Sequence, residues 1–144
     1  YRLPAEVRAF ITEHHGTAKI SFFYQKAVEA ADGEESLVDA SQFHYPGPLP
    51  QRRETLLLML ADSTEAATRA RQPSTPEELE EVVDYIFQQR IREGQLDECP
   101  ITMRELSMVK DTYIELLRGA FHPRVKYPTP KKTEDTSDEQ ETSD

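Results

Sequence analysis

Six consecutive apolar residues, Leu56 to Ala61, place the strongest constraint on how this chain can fold. The surrounding sequence, ETLLLMLADSTEAATRARQ, favours a helix, and a helix that is apolar on nearly every face needs other elements packed around it. We therefore predict that this helix lies at the centre of a helical bundle. Asp62 follows directly, so its carboxylate is either enclosed beside a partner charge or a metal, or lies on the one polar face of the helix.

Four further segments repeat apolar side chains at the spacing of amphipathic helices. They run from about Pro4 to His15, Ala18 to Ala31, Pro76 to Gly94 and Met103 to Phe121. No segment has the pattern of a strand, so the predicted fold class is all-α. The residues predicted to face the core are Val7, Phe10 and Ile11, then Ile20, Phe23, Ala27 and Ala30, then Leu79, Val82, Val83, Ile86 and Phe87, and finally Leu106, Val109, Tyr113, Ile114, Leu116 and Leu117.

Two shorter features frame these helices. Thr102, with Glu105 three residues later, has the capping-box pattern at the start of the last helix. Residues 32 to 50 are predicted to form a loop, and its prolines at positions 46, 48 and 50 hold the backbone extended. Such a stiff loop either places the flanking aromatic residues Phe43 and Tyr45 or simply connects two helices.

Charge and composition exclude several classes of protein. The net charge of -10 argues against a duplex nucleic-acid partner, which usually needs a basic face. Residues 128 to 144 are acidic and hold no large apolar side chain, which predicts a disordered tail. No apolar run approaches the roughly 20 residues of a membrane helix, so we expect this segment to be soluble. The one cysteine, Cys99, excludes an internal disulfide and is predicted to be an unreactive thiol.

Two adjacent histidines, His14 and His15, close the first predicted helix and precede Gly16. Adjacent helical residues point about 100° apart, so the two rings converge only if the backbone leaves the helix, which a glycine permits. Imidazole and carboxylate groups together form the ligand set of iron and manganese sites. His14, His15 and Asp62 are therefore the candidate metal ligands, although an ordinary helix end remains the alternative on these residues alone.

Five stretches in order carry a resemblance to a known family: EHHGT, ISFFYQKA, FHYPGPLPQRRET, MLADSTEAATR and LEEVVDYIFQQRIREGQLDECPITMREL. Together they resemble the C-terminal part of the cytoplasmic HD domain in seven-transmembrane HD proteins, the PgpH-type cyclic di-AMP phosphodiesterases. The resemblance extends from about Tyr1 to Tyr127. Because the sequence starts at Tyr1 rather than at Met, and residues 1 to 3 lead straight into a helix pattern, we expect the chain to be a piece of a longer protein or a gene model that lacks its start.

The resemblance implies an all-α, HD-domain-like helical bundle, of which residues 1 to 127 form the C-terminal portion only. It also implies two divalent transition metal ions, iron or manganese, which activate a water that hydrolyses a cyclic dinucleotide. By resemblance, His14 and His15 match the adjacent His pair of one metal, and Asp62 matches the final Asp of the other. The earlier His and His-Asp ligands have no counterpart in residues 1 to 144, so this chain alone is expected to be inactive.

Substrate contacts in such an enzyme would come from polar and aromatic side chains near these ligands. Thr17 is a candidate donor to a phosphate oxygen, and Arg53 and Arg69 are candidate sources of positive charge, although such side chains are usually just solvated. Phe43 and Tyr45 are candidates for stacking on an adenine, with core packing as the alternative.

The implied partners are a cyclic dinucleotide and the missing N-terminal half of the HD domain. The implied location is the cytoplasmic side of the bacterial inner membrane, reached only through the longer protein. Two alternatives remain open at this point. The chain could be an HD hydrolase acting on another nucleotide, or a non-catalytic helical module that binds or regulates a membrane protein.

Overall fold

The computed structural model describes residues 2 to 120. Tyr1, the end of the predicted domain up to residue 127 and the predicted acidic tail at residues 128 to 144 lie outside them. The described part contains five α-helices and no strand, which confirms the all-α class. The helices are α1 (Ala5–Glu13), α2 (Ser21–Ala30), α3 (Arg53–Arg71), α4 (Pro76–Arg92) and α5 (Met103–Ala120), and short 3-10 turns lie at Glu35–Leu37 and Ala40–Phe43. Among the helices of residues 2 to 120, none combines the length with the apolar character that a membrane span requires.

The core lies where α4 packs against both α3 and α5. Leu56, Met59 and Leu60 are fully buried, as predicted for the central helix. The helix is not covered on every side, however, because Leu58 is exposed and Leu57 is half-buried. The remaining members of the core cluster come mainly from α4 and are Leu79, Val83, Phe87, Cys99 and Leu106.

The last helix, α5, is buried mainly near its start. Leu106 is buried, whereas Leu116 is exposed, so the prediction that Leu116 faces the core is wrong. Tyr113 donates a hydrogen bond from its hydroxyl to the carbonyl oxygen of Leu57 at 2.7 Å, which ties α5 to α3. Burial raises the pKa of the Cys99 thiol in the preceding loop and so keeps it protonated at neutral pH, as expected for an unreactive cysteine.

The first two helices differ most from the prediction. Val7, Ile11 and Phe23 were expected to face a core, but Ile11 is 59% exposed and Phe23 is 58% exposed. Helix α1 packs on α3, and α2 packs on the second 3-10 turn. The covered side of each helix overlaps the predicted apolar face only in part, since Phe10 and Ala27 are half-buried. Glu13 is the buried residue of α1 instead. An amphipathic pattern identifies an apolar face, but it does not say which chain covers it.

The second helix is also shorter than predicted at its start. The backbone from Ala18 to Ile20 is not helical, because it pairs with the proline-rich loop across an isolated bridge between Lys19 and His44. Ile20 donates its N–H to the carbonyl oxygen of Phe43 at 2.7 Å, and Tyr45 donates to that of Ala18 at 3.0 Å. This pairing holds the start of the loop against the turn that follows α1.

The predicted capping box at the start of α5 is confirmed. Glu105 donates its N–H to the Thr102 hydroxyl at 3.2 Å, and its carboxylate accepts from the N–H and the hydroxyl of Thr102, each at 2.8 Å. These hydrogen bonds hold the pKa of Glu105 below its usual value. A carboxyl group with a lowered folded-state pKa stabilises the fold above its unfolded pKa, and this stabilisation is lost as the pH falls through the folded value.

Replacing Thr102 with Ala is therefore expected to cost about 1 kcal/mol of unfolding free energy at neutral pH. The cost should shrink as the pH falls below about 4.3, the usual pKa of a glutamate, and through the lower folded-state pKa of Glu105. Urea unfolding at several pH values measures both quantities. Ser107→Ala, at an exposed position on the same helix, is the control and should stay within about 0.5 kcal/mol of the unchanged protein. A Thr102→Ala cost that did not vary with pH would contradict the role of Glu105.

Candidate metal centre

The two adjacent histidines lie on a tight turn rather than on the helix itself. Helix α1 ends at Glu13, and Gly16 adopts φ +53°, in the left-handed region that favours glycine. The turn is closed by a hydrogen bond from the Gly16 N–H to the carbonyl oxygen of Glu13 at 2.9 Å. As a result, the imidazole rings of His14 and His15 lie close together, with centroids 3.9 Å apart and planes tilted by 39°.

The turn also brings His15 towards the carboxylate that follows the apolar run of α3. The distance from His15 Nδ1 to Asp62 Oδ2 is 3.9 Å. The Asp62 side chain is 50% exposed, so it lies on the polar face of α3 rather than in an enclosed pocket. Because both side chains are partly exposed, a ligand or a cation can reach them from solvent.

The surroundings of His15 favour its neutral form. Burial of the ring lowers the pKa of His15, and the neighbouring His14 and Arg90 act in the same direction, while Asp62 opposes them. A neutral imidazole is the form that can donate a lone pair to a metal ion, because a protonated ring must first lose its proton. At neutral pH His15 is therefore in the form that a ligand role would require.

His14 provides the test of whether a cation suits this site. Its Nδ1 atom is buried and has no hydrogen-bond partner within the described part of the chain. A buried polar atom without a partner is costly, and coordination is one way of satisfying it. Two imidazoles and a carboxylate have the donor chemistry of an iron or manganese site. No three His, Cys, Asp or Glu side chains converge on one point between residues 2 and 120, so this donor set fits a part of a site.

Three of the predicted substrate-binding residues lie in or beside the paired segments next to the turn. The ring of Tyr45 stacks on His15, with centroids 4.2 Å apart and an interplanar angle of 17°. Phe43 instead packs edge-to-face on Tyr24, with centroids 5.8 Å apart, as in core packing. Thr17 is exposed, and its hydroxyl accepts a hydrogen bond from Gln95 Nε2 at 3.0 Å.

The two predicted arginines lie on α3 and differ in what they contact. Arg53, at the start of the helix, donates to the carbonyl oxygen of Pro100 at 2.9 Å and pairs with Glu105 at 3.1 Å. Arg69 is highly exposed and pairs with Glu65 at 3.5 Å. Arg69 lies seven residues after Asp62, which places both residues on one face of α3.

Sequence reasoning missed three polar residues around the turn. Glu13 and Gln95 are buried, and Arg90 is half-buried beside His15. The guanidinium of Arg90 donates to the Ser63 hydroxyl at 3.1 and 3.2 Å and pairs with Glu93 at 2.7 Å. Glu13 precedes the His pair directly, which was a signal within the motif. Nothing in the spacing of Arg90 or Gln95 distinguishes them from ordinary surface residues.

Curated relatives match most of this chain but only a small part of their own length. The cyclic-di-AMP phosphodiesterase PgpH of Bacillus subtilis is 38% identical over 132 residues, which cover 92% of this chain and 18% of that protein. An uncharacterised Synechocystis protein is 42% identical over 129 residues, covering 89% of this chain and 16% of its own length. No protein-family model matches the chain.

The solved structures give the same match at the level of the fold. The crystal structure of the Listeria monocytogenes PgpH HD domain in complex with cyclic di-AMP superposes with a TM-score of 0.76 and 34% sequence identity. The match covers 87% of this chain and 57% of that one. The chain is therefore homologous to PgpH, and its helices have the HD-domain fold over part of that domain.

Proposed function

We propose that this PgpH homologue is the later part of an HD-domain phosphodiesterase that hydrolyses a cyclic dinucleotide, cyclic di-AMP. The observation that carries the proposal is the approach of His15 to Asp62, at 3.9 Å, beside the buried Nδ1 atom of His14 that has no partner among residues 2 to 120. The cyclic di-AMP bound to the PgpH HD domain of L. monocytogenes supports the choice of substrate.

His14 and His15 would hold one divalent cation, and Asp62 would hold a second one. The other ligands would come from outside these 144 residues. Iron or manganese ions would supply a polarised water and would neutralise the charge on the phosphate oxygens. The chain's own contribution is to keep the His15 imidazole neutral and next to the Asp62 carboxylate. Burial and the cationic Arg90 favour that neutral state, because both lower the pKa of His15.

Two side chains next to the turn suit contacts with the substrate. The Thr17 hydroxyl accepts a hydrogen bond from Gln95, which leaves its own proton available for a phosphate oxygen. Tyr45 lies flat on His15, so its ring borders the candidate centre and can contact a base. Phe43 packs on Tyr24, so we assign it a packing role rather than a contact with an adenine.

The two arginines differ in whether their guanidinium group can turn to a phosphate. Arg69 lies on the same face of α3 as Asp62, and its exposed ion pair with Glu65 is weak enough to be exchanged for a phosphate. The guanidinium of Arg53 is held by Pro100 and Glu105 on the side of α5. We therefore assign the positive charge near the substrate to Arg69 and leave Arg53 to fix the start of α3.

The uncovered faces of α1 and α2 support the missing half of the HD domain as the partner. The exposed apolar side chains are those of Leu3 before α1, Val7 and Ile11 on α1, and Phe22 and Phe23 on α2. Exposed apolar surface marks an interface where it is contiguous. We propose that the preceding part of the HD domain covers it. The location on the cytoplasmic side of a bacterial membrane rests on the resemblance to seven-transmembrane HD proteins.

The test is hydrolysis of cyclic di-AMP, followed by chromatography of the nucleotides. The full-length gene product loaded with Mn²⁺ should open the cyclic dinucleotide to its linear form, and a chelator should abolish the reaction. The 144-residue chain alone should give no product, because it supplies three of the ligands. Product from the isolated chain would contradict the incomplete site, and no product from the metal-loaded gene product would contradict the function.

The same assay separates the competing functions. Turnover of a different nucleotide, with cyclic di-AMP left intact, would indicate another HD hydrolase. Absence of bound metal together with absence of turnover in the full gene product would indicate a non-catalytic module.

A further inference from the structure

A buried glutamine lies directly behind the turn that carries the two histidines. Gln95 follows α4 and Gly94, and it is 1% exposed. Its Oε1 accepts a hydrogen bond from the Thr17 N–H at 3.0 Å. Its Nε2 donates to the Thr17 hydroxyl at 3.0 Å and to the carbonyl oxygen of Glu93 at 3.2 Å. Both N–H hydrogens of the Gln95 amide and its oxygen are therefore hydrogen-bonded.

The amide of Gln95 packs so closely on Gly16 that no side chain fits at that position. A Cβ atom at Gly16 would lie 2.3 Å from Gln95 Oε1 and 2.7 Å from Met59 Cε. Glycine is therefore required at this position both for its positive φ and for the space that the amide occupies. Because Gly16 and Thr17 directly follow His15, any movement of the amide moves the backbone that sets the direction of that imidazole.

The other end of the turn is held in a similar way. The buried carboxylate of Glu13 accepts from the Gln51 N–H at 3.0 Å and from the Thr55 hydroxyl at 2.7 Å. Thr55 lies two turns before Asp62 on α3. The turn is thus fixed to α3 at Glu13 and to the connection after α4 at Thr17, with both histidines between the two anchors.

We propose that Gln95 is a positioning residue for the metal centre, which aligns the His15 imidazole with Asp62 by holding the backbone of Gly16 and Thr17. The proposal rests on the proposed function, since the centre it serves is the one described there. A fully satisfied amide adds little net stability to a core that an apolar side chain could fill. The amide acts instead on the orientation of His15, because residues that orient metal ligands control metal affinity without touching the metal.

The experiment compares Gln95→Met with Val83→Ala in the full gene product titrated with Co²⁺. Met keeps the volume of the side chain but loses both hydrogen bonds to Thr17, whereas Val83 is a fully buried residue of α4 outside the turn. Gln95→Met should weaken Co²⁺ binding by about 10- to 100-fold and alter the visible absorption of the bound ion. Val83→Ala should lower the unfolding temperature while leaving the affinity and the spectrum unchanged.

Where the Met variant does not fold, Gln95→Asn replaces it, because it keeps the amide and withdraws it by one methylene from Thr17. An affinity and a spectrum equal to those of the unchanged protein in the folded variant would overturn the proposal. Equal losses in Gln95→Met and Val83→Ala would also overturn it, because they would show a purely structural role. A protein that binds Co²⁺ with Gln95-dependent affinity but does not hydrolyse cyclic di-AMP would refute the proposed function alone, whereas one that binds no Co²⁺ would refute both.

Discussion

Replacing Asp62 with Ala is expected to lower kcat/KM for cyclic di-AMP by at least about 100-fold in the metal-loaded gene product. Loss of a residue that only orients a metal ligand already costs about 10- to 100-fold, so loss of a ligand itself should cost more. The fold should tolerate the change, since Asp62 is half exposed and an exposed substitution usually stays within about 0.5 kcal/mol. The measurement pairs steady-state kinetics with metal content and thermal unfolding.

The matched control for Asp62 is Glu81→Ala, which removes an exposed carboxylate from α4, away from the turn. It changes the net charge by the same amount as Asp62→Ala. Its turnover should remain within about twofold of that of the unchanged gene product, which corresponds to about 0.4 kcal/mol. Near-normal turnover of Asp62→Ala would remove this carboxylate from the catalytic centre, whatever the fate of His14 and His15.

Replacing Gly16 with Ala is expected to cost about 2 to 5 kcal/mol of unfolding free energy. The left-handed conformation at φ +53° accounts for about 1 to 2 kcal/mol, and forcing a methyl group against Gln95 and Met59 adds about 1 to 3 kcal/mol. The variant should also lose metal affinity, because the backbone after His15 must shift to relieve the contact. Urea unfolding gives the free energy, and a Co²⁺ titration follows the site.

Two other glycines separate the two contributions at Gly16. Gly33 has φ +85° and nothing within 4 Å of an added Cβ, so Gly33→Ala should show only the backbone cost of about 1 to 2 kcal/mol. Gly119 lies in α5 with open space around it, so Gly119→Ala should be neutral or stabilising by up to about 1 kcal/mol. If Gly16→Ala cost no more than Gly33→Ala, the close packing of Gln95 on the turn would be contradicted.

The helices could be predicted from sequence because their signals are local. Apolar spacing located all five helices, and the capping box at Thr102 fixed the start of α5 to the residue. The buried faces of α1 and α2 could not be predicted in the same way. Val7 and Phe23 have the spacing of core residues, but burial depends on what lies opposite them, and periodicity carries no information about a partner.

In the candidate site, too, the local features could be predicted from sequence and the tertiary contacts could not. Adjacent imidazoles beside Gly16 are visible in six letters of sequence, and the structure shows how the glycine lets the rings approach. The approach of Asp62 depends on tertiary packing between α1 and α3, so the pairing came from family resemblance rather than from spacing. Gln95 was not predictable, because a glutamine after a helix is usually solvated, and only its burial against Thr17 supports the role proposed for it.

The exposed faces of α1 and α2 have a consequence for the local stability of the chain. The well-buried helices α3 and α4 should open to hydrogen exchange only in global unfolding, whereas α1, with little buried apolar surface, should open at much lower free energy. His14 and His15 follow the weakly protected helix, and Asp62 belongs to the strongly protected one. Two neighbouring cations, one held by the histidines and one by Asp62, would link these two cooperative units, so that metal binding and completion of the fold become one thermodynamic event.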